Sequence, residues 1–353
     1  MKNFFSLIVF VCTCFIMSDA QVNTYAFSQG SGVPAYLSAA YDEHGIGTAL
    51  DESYYENVSI GFTFNFNGVE YSSLTIHDNG YIVMGGSTGT SSSPIASVNN
   101  SISALGADLQ GLSTASLRSQ TLGSAPNRRF VAEWRHFETY GTSGGGDYSF
   151  QIILYEGTNV IQFVYETHTA FADPDGFEVG LRGSSSTDYS NRTKTANTAW
   201  TSSSAGTATS SVMLTGSTSA RNPGGIYTWT PQNMIYVSST TTQTITSDVG
   251  LGSVNQQIIG VQIVTQNTNN PIQATSFTFN TNGSTASAAD ISRMKLWSTG
   301  SSATFVTTTQ LGNSVSNPAG TVVINSGSNL PLTLVPGTNY FWITYDIEAS
   351  ATI

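Results

Sequence analysis

The fold class of this chain is decided by one stretch, GFTFNFNGVEYSSLTI, which runs from Gly61 to Ile76. Its first half alternates phenylalanine with polar residues, and successive side chains of an extended strand point to opposite faces. Phe62, Phe64 and Phe66 therefore share one apolar face. The Asn-Gly pair that follows tolerates the positive φ of a tight hairpin turn. The stretch predicts two antiparallel strands joined by a two-residue turn.

The same alternation recurs along the chain, and helical periodicity is nearly absent. Further strands are predicted at residues 81–84, 129–135, 148–155, 160–165, 177–181 and 224–231, each bounded by turn-forming residues. The Ser-, Thr- and Gly-rich segment 184–219 predicts irregular loops or edge strands. Short strands at this spacing are typical of an antiparallel β-sandwich, which we expect over residues 21–233.

A second unit is predicted over residues 234–353, so the chain as a whole is expected to be all-β, with two antiparallel sandwiches in tandem. Strands are predicted at residues 256–266, 294–299, 321–324 and 339–347. Residues 274–283 are the predicted partner of the first of these, and residues 288–294 are predicted as a short helix or a loop. The sequence stops at Ile353, directly after an apolar strand. We expect the second unit to be truncated there, which would leave a sheet edge open to pairing with another chain.

Residues 1–20 have the pattern of a secretory signal peptide. Lys2 precedes an apolar run from Phe4 to Met17, and small residues close the segment. The run is short for a membrane span, although an uncleaved N-terminal anchor is the alternative interpretation.

Both cysteines, Cys12 and Cys14, lie inside the predicted signal peptide, so the mature chain is predicted to have no thiol and no disulfide. We therefore expect a secreted or outer cell-surface protein, and a large exported module without disulfides favours a bacterial origin.

The charge balance limits the partners. The chain has 11 basic and 22 acidic residues, a net charge of -11, and only 9% charged residues. Such a chain lacks the basic surface that nucleic-acid binding needs. Its 18 Phe, 16 Tyr and 5 Trp are more aromatic bulk than disordered chains carry. The composition indicates a folded, weakly acidic extracellular protein without a transmembrane segment after signal cleavage.

Three phrases of the second unit carry a resemblance: GSVNQQIIGVQIVTQNTNNPIQATSFTFNTNGS, ADISRMKLWSTG and LVPGTNYFWITYDI. Together they span roughly residues 248–349. This region resembles a small all-β accessory domain that stands N-terminal to the catalytic region of some bacterial BNR-repeat neuraminidases and also occurs in other large surface proteins. The resemblance implies an accessory module followed by more chain, and it carries over no catalytic residue.

The first unit resembles a nidogen-type extracellular domain. The phrases that carry this likeness are FTFNFNGVEYSSLTIHDNGYIVMGG, ISALGADLQG, RRFVAEWRHFETY, DYSFQIILYEGTNVIQFVYE and FEVGLRG, in that order. The resemblance implies adhesion or matrix contact and nothing catalytic.

No catalytic residue is predicted. A sialidase would need aspartate boxes, which the sequence lacks, and three arginines around the substrate carboxylate. Four arginines lie close together in sequence, and they fit solvated strand ends: Arg118, Arg128, Arg129 and Arg135.

The four histidines are far apart and show no two-histidine metal spacing: His44, His77, His136 and His168. A Ser-His-Asp triad assembles in space, so spacing does not test it.

Paired carboxylates would be needed by a glycosidase. The candidate pairs are Asp42 with Glu43, Asp51 with Glu52, and Glu133 with Glu138. Neighbours on an extended strand point to opposite faces, so Asp42 and Glu43 would not share a site on a strand.

One acidic loop, ADPDGFE, is the candidate metal site. Asp173, Asp175 and Glu178 could offer hard oxygen ligands to calcium. The alternative is an Asp-Pro-Asp-Gly turn, which accounts for every residue by turn chemistry. No other cofactor is predicted.

Aromatic side chains could form a stacking platform for sugar rings. The candidates are Trp200, Trp229, Tyr54 and Tyr55, each of which could equally belong to the core.

The sequence thus favours a non-enzymatic surface or adhesion protein, the N-terminal part of a larger exported polypeptide, with glycans or cell-surface and matrix proteins as partners. The alternative is an accessory, substrate-targeting region of a secreted glycosidase such as a sialidase, or of a peptidase, whose catalytic domain lies beyond residue 353.

Overall fold

The computed structural model describes residues 22–86, 90–141, 146–166, 175–215, 225–245, 248–282 and 287–351. The predicted signal peptide at residues 1–20 lies outside them. The structure confirms the all-β antiparallel prediction, since nearly all regular elements are strands. The described α-helices are α1 (Pro94–Ser97) and α2 (Ser287–Asp290), and 3-10 turns lie at Val22–Thr24, Gly47–Ala49 and Trp200–Ser202. None of these helices has the length and apolar character needed to cross a bilayer.

The chain divides into two compact units. Among the described residues, the first unit takes in 22–235 with 267–271, and the second takes in 236–266 with 272–351.

The first unit consists of two seven-stranded antiparallel sheets. Sheet A has the strand order β1 (Ala26–Gly30), β14 (Gly225–Thr230), β10 (Ile161–Tyr165), β9 (Tyr148–Tyr155), β8 (Arg129–Thr139), β7 (Leu109–Leu122) and β2 (Asp42–Ile46). Sheet B has the order β13 (Ser204–Ala205), β12 (Tyr189–Thr193), β11 (Glu178–Arg182), β6 (Ser101–Gly106), β5 (Tyr81–Met84), β4 (Val69–His77) and β3 (Tyr54–Phe66). The described part of the segment 184–219, predicted as loops or edge strands, supplies β12 and the edge strand β13.

The predicted hairpin is formed by β3 and β4. Asn67 and Gly68 connect the strands with φ angles of 54° and 77°, as a tight turn requires. Phe64 and Phe66 are fully buried and Phe62 is 6% exposed, so the alternating phenylalanines face the core. Their burial supplies the apolar area that stabilises this part of the sandwich.

Buried aromatic side chains fill the space between the sheets, and their polar atoms bridge the two layers. The Nε1–H of Trp134 on β8 donates to the His77 carbonyl on β4 at 3.0 Å. The Tyr165 hydroxyl on β10 donates to the Ala104 carbonyl on β6 at 2.7 Å. Each bond therefore joins sheet A to sheet B from within an apolar layer, where hydrogen bonds are strong.

The turn from His77 to Gly80, which links β4 to β5, holds one end of the sandwich together. The Gly80 carbonyl accepts from the backbone N–H groups of Ala104 and Leu105 at 3.1 and 3.2 Å. The Asn79 side-chain oxygen accepts from the N–H of Leu109 at 2.8 Å. This turn thereby fixes the loop between β6 and β7.

The second unit has a five-stranded sheet and two short strand pairs. The sheet order is β15 (Ile235–Thr242), β16 (Gln256–Gln266), β23 (Gly337–Ile347), β19 (Ile291–Gly300) and β20 (Gln310–Ser316). The short pairs are β17 (Gln273–Ala274) with β22 (Leu332–Thr333), and β18 (Phe277–Asn280) with β21 (Thr321–Ile324). The ring of Phe277 packs on Phe341 of β23, with centroids 4.8 Å apart.

Two predictions for the second unit were wrong. Residues 274–283 do not pair with β16, because β18 pairs with β21 and β16 pairs with β23. The helix predicted to reach residue 294 ends at Asp290, and β19 begins at Ile291. Met294 and Leu296 are buried with 1% and 0% exposure, and pairing with β23 places them in the sheet.

We expect Gly80→Ala to destabilise the first unit strongly. Gly80 has a φ of +80°, and an added Cβ would overlap the carbonyl oxygen of Leu105, which is fixed backbone. Gly141→Ala is the matched control, since Gly141 has a φ of +70° with nothing within 4 Å of an added Cβ. Denaturant unfolding followed by tryptophan fluorescence should show a loss for Gly80→Ala about 2 kcal/mol larger than for Gly141→Ala. Equal losses would show that the Leu105 contact is yielding.

Candidate functional site

A polar cavity of about 420 Å³ opens at the end of the first unit that carries the His77–Gly80 turn. Its lining residues are Ser92, Ser93, Gly106, Ala107, Asp108, Thr139, Tyr140, Asp175, Gly176, Glu178 and Val212. The volume lies within the usual range of small-ligand sites. Carboxylates and hydroxyls dominate the lining, and none of its described residues is a lysine or an arginine. We refer to this feature as the polar cavity.

Backbone hydrogen bonds hold Asp108 and Tyr140 in place at the cavity. Asp108 lies between β6 and β7, and its carbonyl accepts from the backbone N–H of Tyr140 at 2.8 Å, directly after β8. The next residue, Leu109, is held by Asn79. The Tyr140 side chain is 53% exposed. A large aromatic ring is therefore presented to solvent beside a carboxylate.

Glu178 lines the same cavity but is occupied by a structural role. Its Oε2 accepts from the N–H groups of Ile95 and Ala96 at 2.6 and 3.1 Å. Arg182 lies on the same face of β11 and donates to the Ile95 carbonyl at 2.9 Å. Burial raises the pKa of Glu178 to about 7, and the two N–H donors and Arg182 oppose that rise. The two side chains together fasten α1 over sheet B.

The structure describes two of the three candidate calcium ligands, and it gives them different surroundings. Asp173 lies outside the described residues, Asp175 lines the polar cavity, and Glu178 holds α1. In the described part of the chain, no group of three or more His, Cys, Asp or Glu side chains is arranged to hold a metal ion.

The His77–Gly80 turn adds a buried acidic side chain to this end. Asp78 is fully buried; its Oδ2 accepts from the N–H of Ser53 at 2.6 Å, and its Oδ1 has no hydrogen-bond partner among the described residues. Burial, with the nearby charges of Glu52 and Asp51, raises the pKa of Asp78 to about 7. Burial and the same two carboxylates also raise the pKa of Asp108.

A family model described as NIDO related matches residues 24–231, more than half of the chain. The chain belongs to the NIDO-related family. The match covers the first unit, hereafter the NIDO-related domain, and confirms its nidogen-like resemblance as an extracellular type of domain. No curated protein and no solved structure matched the chain. The neuraminidase-associated resemblance of the second unit stays a prediction.

The three described histidines of the NIDO-related domain have separate surroundings. His77 is fully buried, its ring stacks on that of Tyr81 at 4.2 Å, and neither ring nitrogen has a hydrogen-bond partner among the described residues. Burial lowers the pKa of His77 to about 4, so it is neutral at physiological pH. His44 contacts the Ser119 hydroxyl at 2.8 Å, and His136 contacts Asp147 at 3.0 Å. His168 lies outside the described residues.

The arginines are held by separate partners within the domain. Arg118 pairs with Glu43 at 3.2 Å and lies over the Tyr41 ring. Arg128 pairs with Glu156, and Arg135 lies over the Tyr36 ring at 4.3 Å. Arg129 is the exposed first residue of β8, as a strand end. These positions do not assemble the three-arginine carboxylate site of a sialidase.

The candidate carboxylate pairs also have separate roles. Glu133 is fully buried on sheet A and accepts from the Leu37 N–H at 2.9 Å and from Gln151 at 2.7 Å. Glu138 accepts from Gln110 at 2.9 Å. Of the other two candidate pairs, Asp42 and Glu43 lie on β2. Asp51 and Glu52 lie at the cavity end of the domain, near Asp78 and Asp108.

Of the predicted aromatic platforms, the two tryptophans belong to the core. Trp200 is 2% exposed and Trp229 is 0% exposed. Tyr54 is 38% exposed and stacks on His77, and Tyr55 is half-buried. The sequence reasoning missed Tyr140 as the aromatic group at the cavity. The only sequence signal for Tyr140 is its position after a predicted strand and before a glycine, because strand ends and their loops lie together at the end of a sandwich.

We expect the stability of the NIDO-related domain to fall as the pH rises past neutrality. The folded-state pKa of Asp78 lies above its ordinary value of 3.8, so its contribution is fully present below that value and is lost as the pH rises through about 7. Asp78→Asn is neutral at every pH. It should be more stable than the parent at about pH 8, by about 2–4 kcal/mol, and should show a flatter profile.

The measurement is denaturant unfolding at several values between about pH 5 and about pH 8. Glu178 contributes in the same direction, so a smaller slope should remain in Asp78→Asn. Asp51→Asn is the control, because Asp51 is exposed and its loss should leave most of the slope. An unchanged slope in Asp78→Asn would rule out Asp78 as its source.

Proposed function

We propose that this chain is an exported, non-catalytic binding or adhesion protein, and that the polar cavity of its NIDO-related domain is the ligand site. The observation that carries the proposal is the cavity itself. It lies at the end of the double sheet, it is lined by carboxylates and hydroxyls, and Tyr140 is exposed beside it. Loops at the end of a sandwich commonly carry binding function, because the sheets hold them in place.

The roles of the acidic and basic side chains favour binding over catalysis. Glu133, Glu138 and Glu178 each serve a structural contact, and His77 is stacked and neutral. A general acid and base need pKa values separated by their surroundings around a shared substrate. Asp78, like Glu178, has a pKa raised to about 7, and its side chain is fully buried.

Export and surface display belong to the same proposal. The NIDO-related match supports an extracellular domain, and the signal-like residues 1–20 supply the route. Glycans or proteins of a cell surface or matrix are the proposed partners.

The alternative is an accessory, substrate-targeting region of a secreted glycosidase such as a sialidase, or of a peptidase. Its support is the resemblance of residues 248–349 to the neuraminidase-associated domain. The gene sequence that follows codon 353 separates the two: aspartate-box repeats favour the accessory role, and further sandwich modules favour adhesion.

Beads coated with the chain should attach to cells or to immobilised matrix proteins. A double variant, Asp108→Asn with Tyr140→Ala, should reduce attachment by about tenfold or more, because it removes the exposed ring and one charge from the cavity. Glu70→Gln is the control, since it removes an exposed carboxylate next to the Asn67–Gly68 turn, at the opposite end of β4. Absent attachment together with hydrolysis of a glycoside or peptide substrate would overturn the proposal.

A further inference from the structure

The polar cavity has the dimensions and the chemistry of a sugar site. We infer that it binds a neutral sugar ring against Tyr140, and that it rejects sugars carrying a carboxylate or a sulfate. This inference rests on the proposed binding function and specifies its ligand.

The size of the cavity suits one or two sugar rings. Its volume is about 420 Å³, toward the lower part of the range of sites for small organic ligands.

The lining supplies the hydrogen-bonding groups that sugar hydroxyls need. A hydroxyl group both donates and accepts, whereas a carboxylate accepts only. Asp108 and Asp175 contribute carboxylates to the lining, and Ser92, Ser93 and Thr139 contribute hydroxyls. A bound sugar could therefore donate to the carboxylates and exchange hydrogen bonds with the hydroxyls.

Tyr140 gives the cavity its apolar contact surface. The ring is 53% exposed although its backbone is anchored through the N–H to the Asp108 carbonyl at 2.8 Å. The C–H face of a pyranose is apolar and packs well on an aromatic ring. Because the backbone is held before binding, the ordering cost at this residue is limited to its side chain.

The charges around the cavity disfavour an anionic sugar. Asp108, Asp175 and Glu178 line it, and Asp51 and Glu52 lie close enough to raise the pKa of Asp108. Arg182 is the cation that faces Glu178, and its guanidinium donates to the Ile95 carbonyl and to Asn99. An entering carboxylate would meet like charges, and no lysine or arginine among the described lining residues could pair with it.

The test uses the full chain on an array of neutral oligosaccharides, each paired with its sialylated or sulfated counterpart, for example lactose with sialyllactose. In every pair that binds, the neutral member should bind about tenfold tighter or more, as measured by calorimetry. Raising sodium chloride from about 0.05 M to about 0.5 M should narrow the difference, because salt screens the repulsion. Equal or tighter binding of the anionic members would overturn the inference.

Variants separate stacking from general damage. Tyr140→Phe should keep neutral-sugar binding, and Tyr140→Ala should weaken it by about tenfold. Asp108→Asn keeps an acceptor but removes a charge, so it should reduce the preference for the neutral member, while Glu70→Gln should change nothing. Circular dichroism confirms that each variant is folded. Unchanged binding in Tyr140→Ala would overturn the inference.

The bead assay distinguishes the sugar assignment from the proposed binding function on which it rests. If the chain attaches to cells or matrix but no neutral sugar binds or competes, the sugar assignment fails and the binding function stands. If neither attachment nor glycan binding occurs, both fail.

Discussion

The structure of the NIDO-related domain depends on an aromatic layer between two sheets that no covalent bond joins. The described chain has no cysteine, since both Cys12 and Cys14 precede it. Burial of rings such as Trp134 and Tyr165 supplies the apolar term, and their polar atoms bridge the sheets at 3.0 and 2.7 Å. A buried indole or phenol without a partner would cost free energy, so these bonds also fix how the sheets are aligned.

The aromatic layer reaches the cavity through the end of β4. Trp134 binds the carbonyl of His77, the first residue of the His77–Gly80 turn, and that turn holds the loop which carries Asp108. Asp108 in turn anchors Tyr140. A short series of hydrogen bonds, without a disulfide, therefore attaches Asp108 and Tyr140 at the cavity to the core.

The outer face of sheet B shows a second use of buried polar groups. Glu178 and Arg182 lie four residues apart on one face of β11, and they bind the N–H and carbonyl groups of α1. This pair holds α1 over the sheet, and Glu178 also lines the cavity. At the same end, Asp78 and His77 keep polar atoms without partners among the described residues. Such groups are costly in a folded protein and cluster where function limits the choice of residue.

The sequence by itself determined the local features of the fold. The alternation in residues 61–76 defined the hairpin and its turn, and the strands Tyr148–Tyr155, Gln256–Gln266 and Thr321–Ile324 have the predicted bounds. Side-chain alternation and turn chemistry are properties of neighbouring residues, so a sequence displays them directly. The tertiary structure alone decided that β18 pairs with β21, that Trp200 and Trp229 are core, and that Asp108 and Tyr140 meet. These outcomes depend on contacts between distant segments, and many pairings of the same strands satisfy the same local pattern.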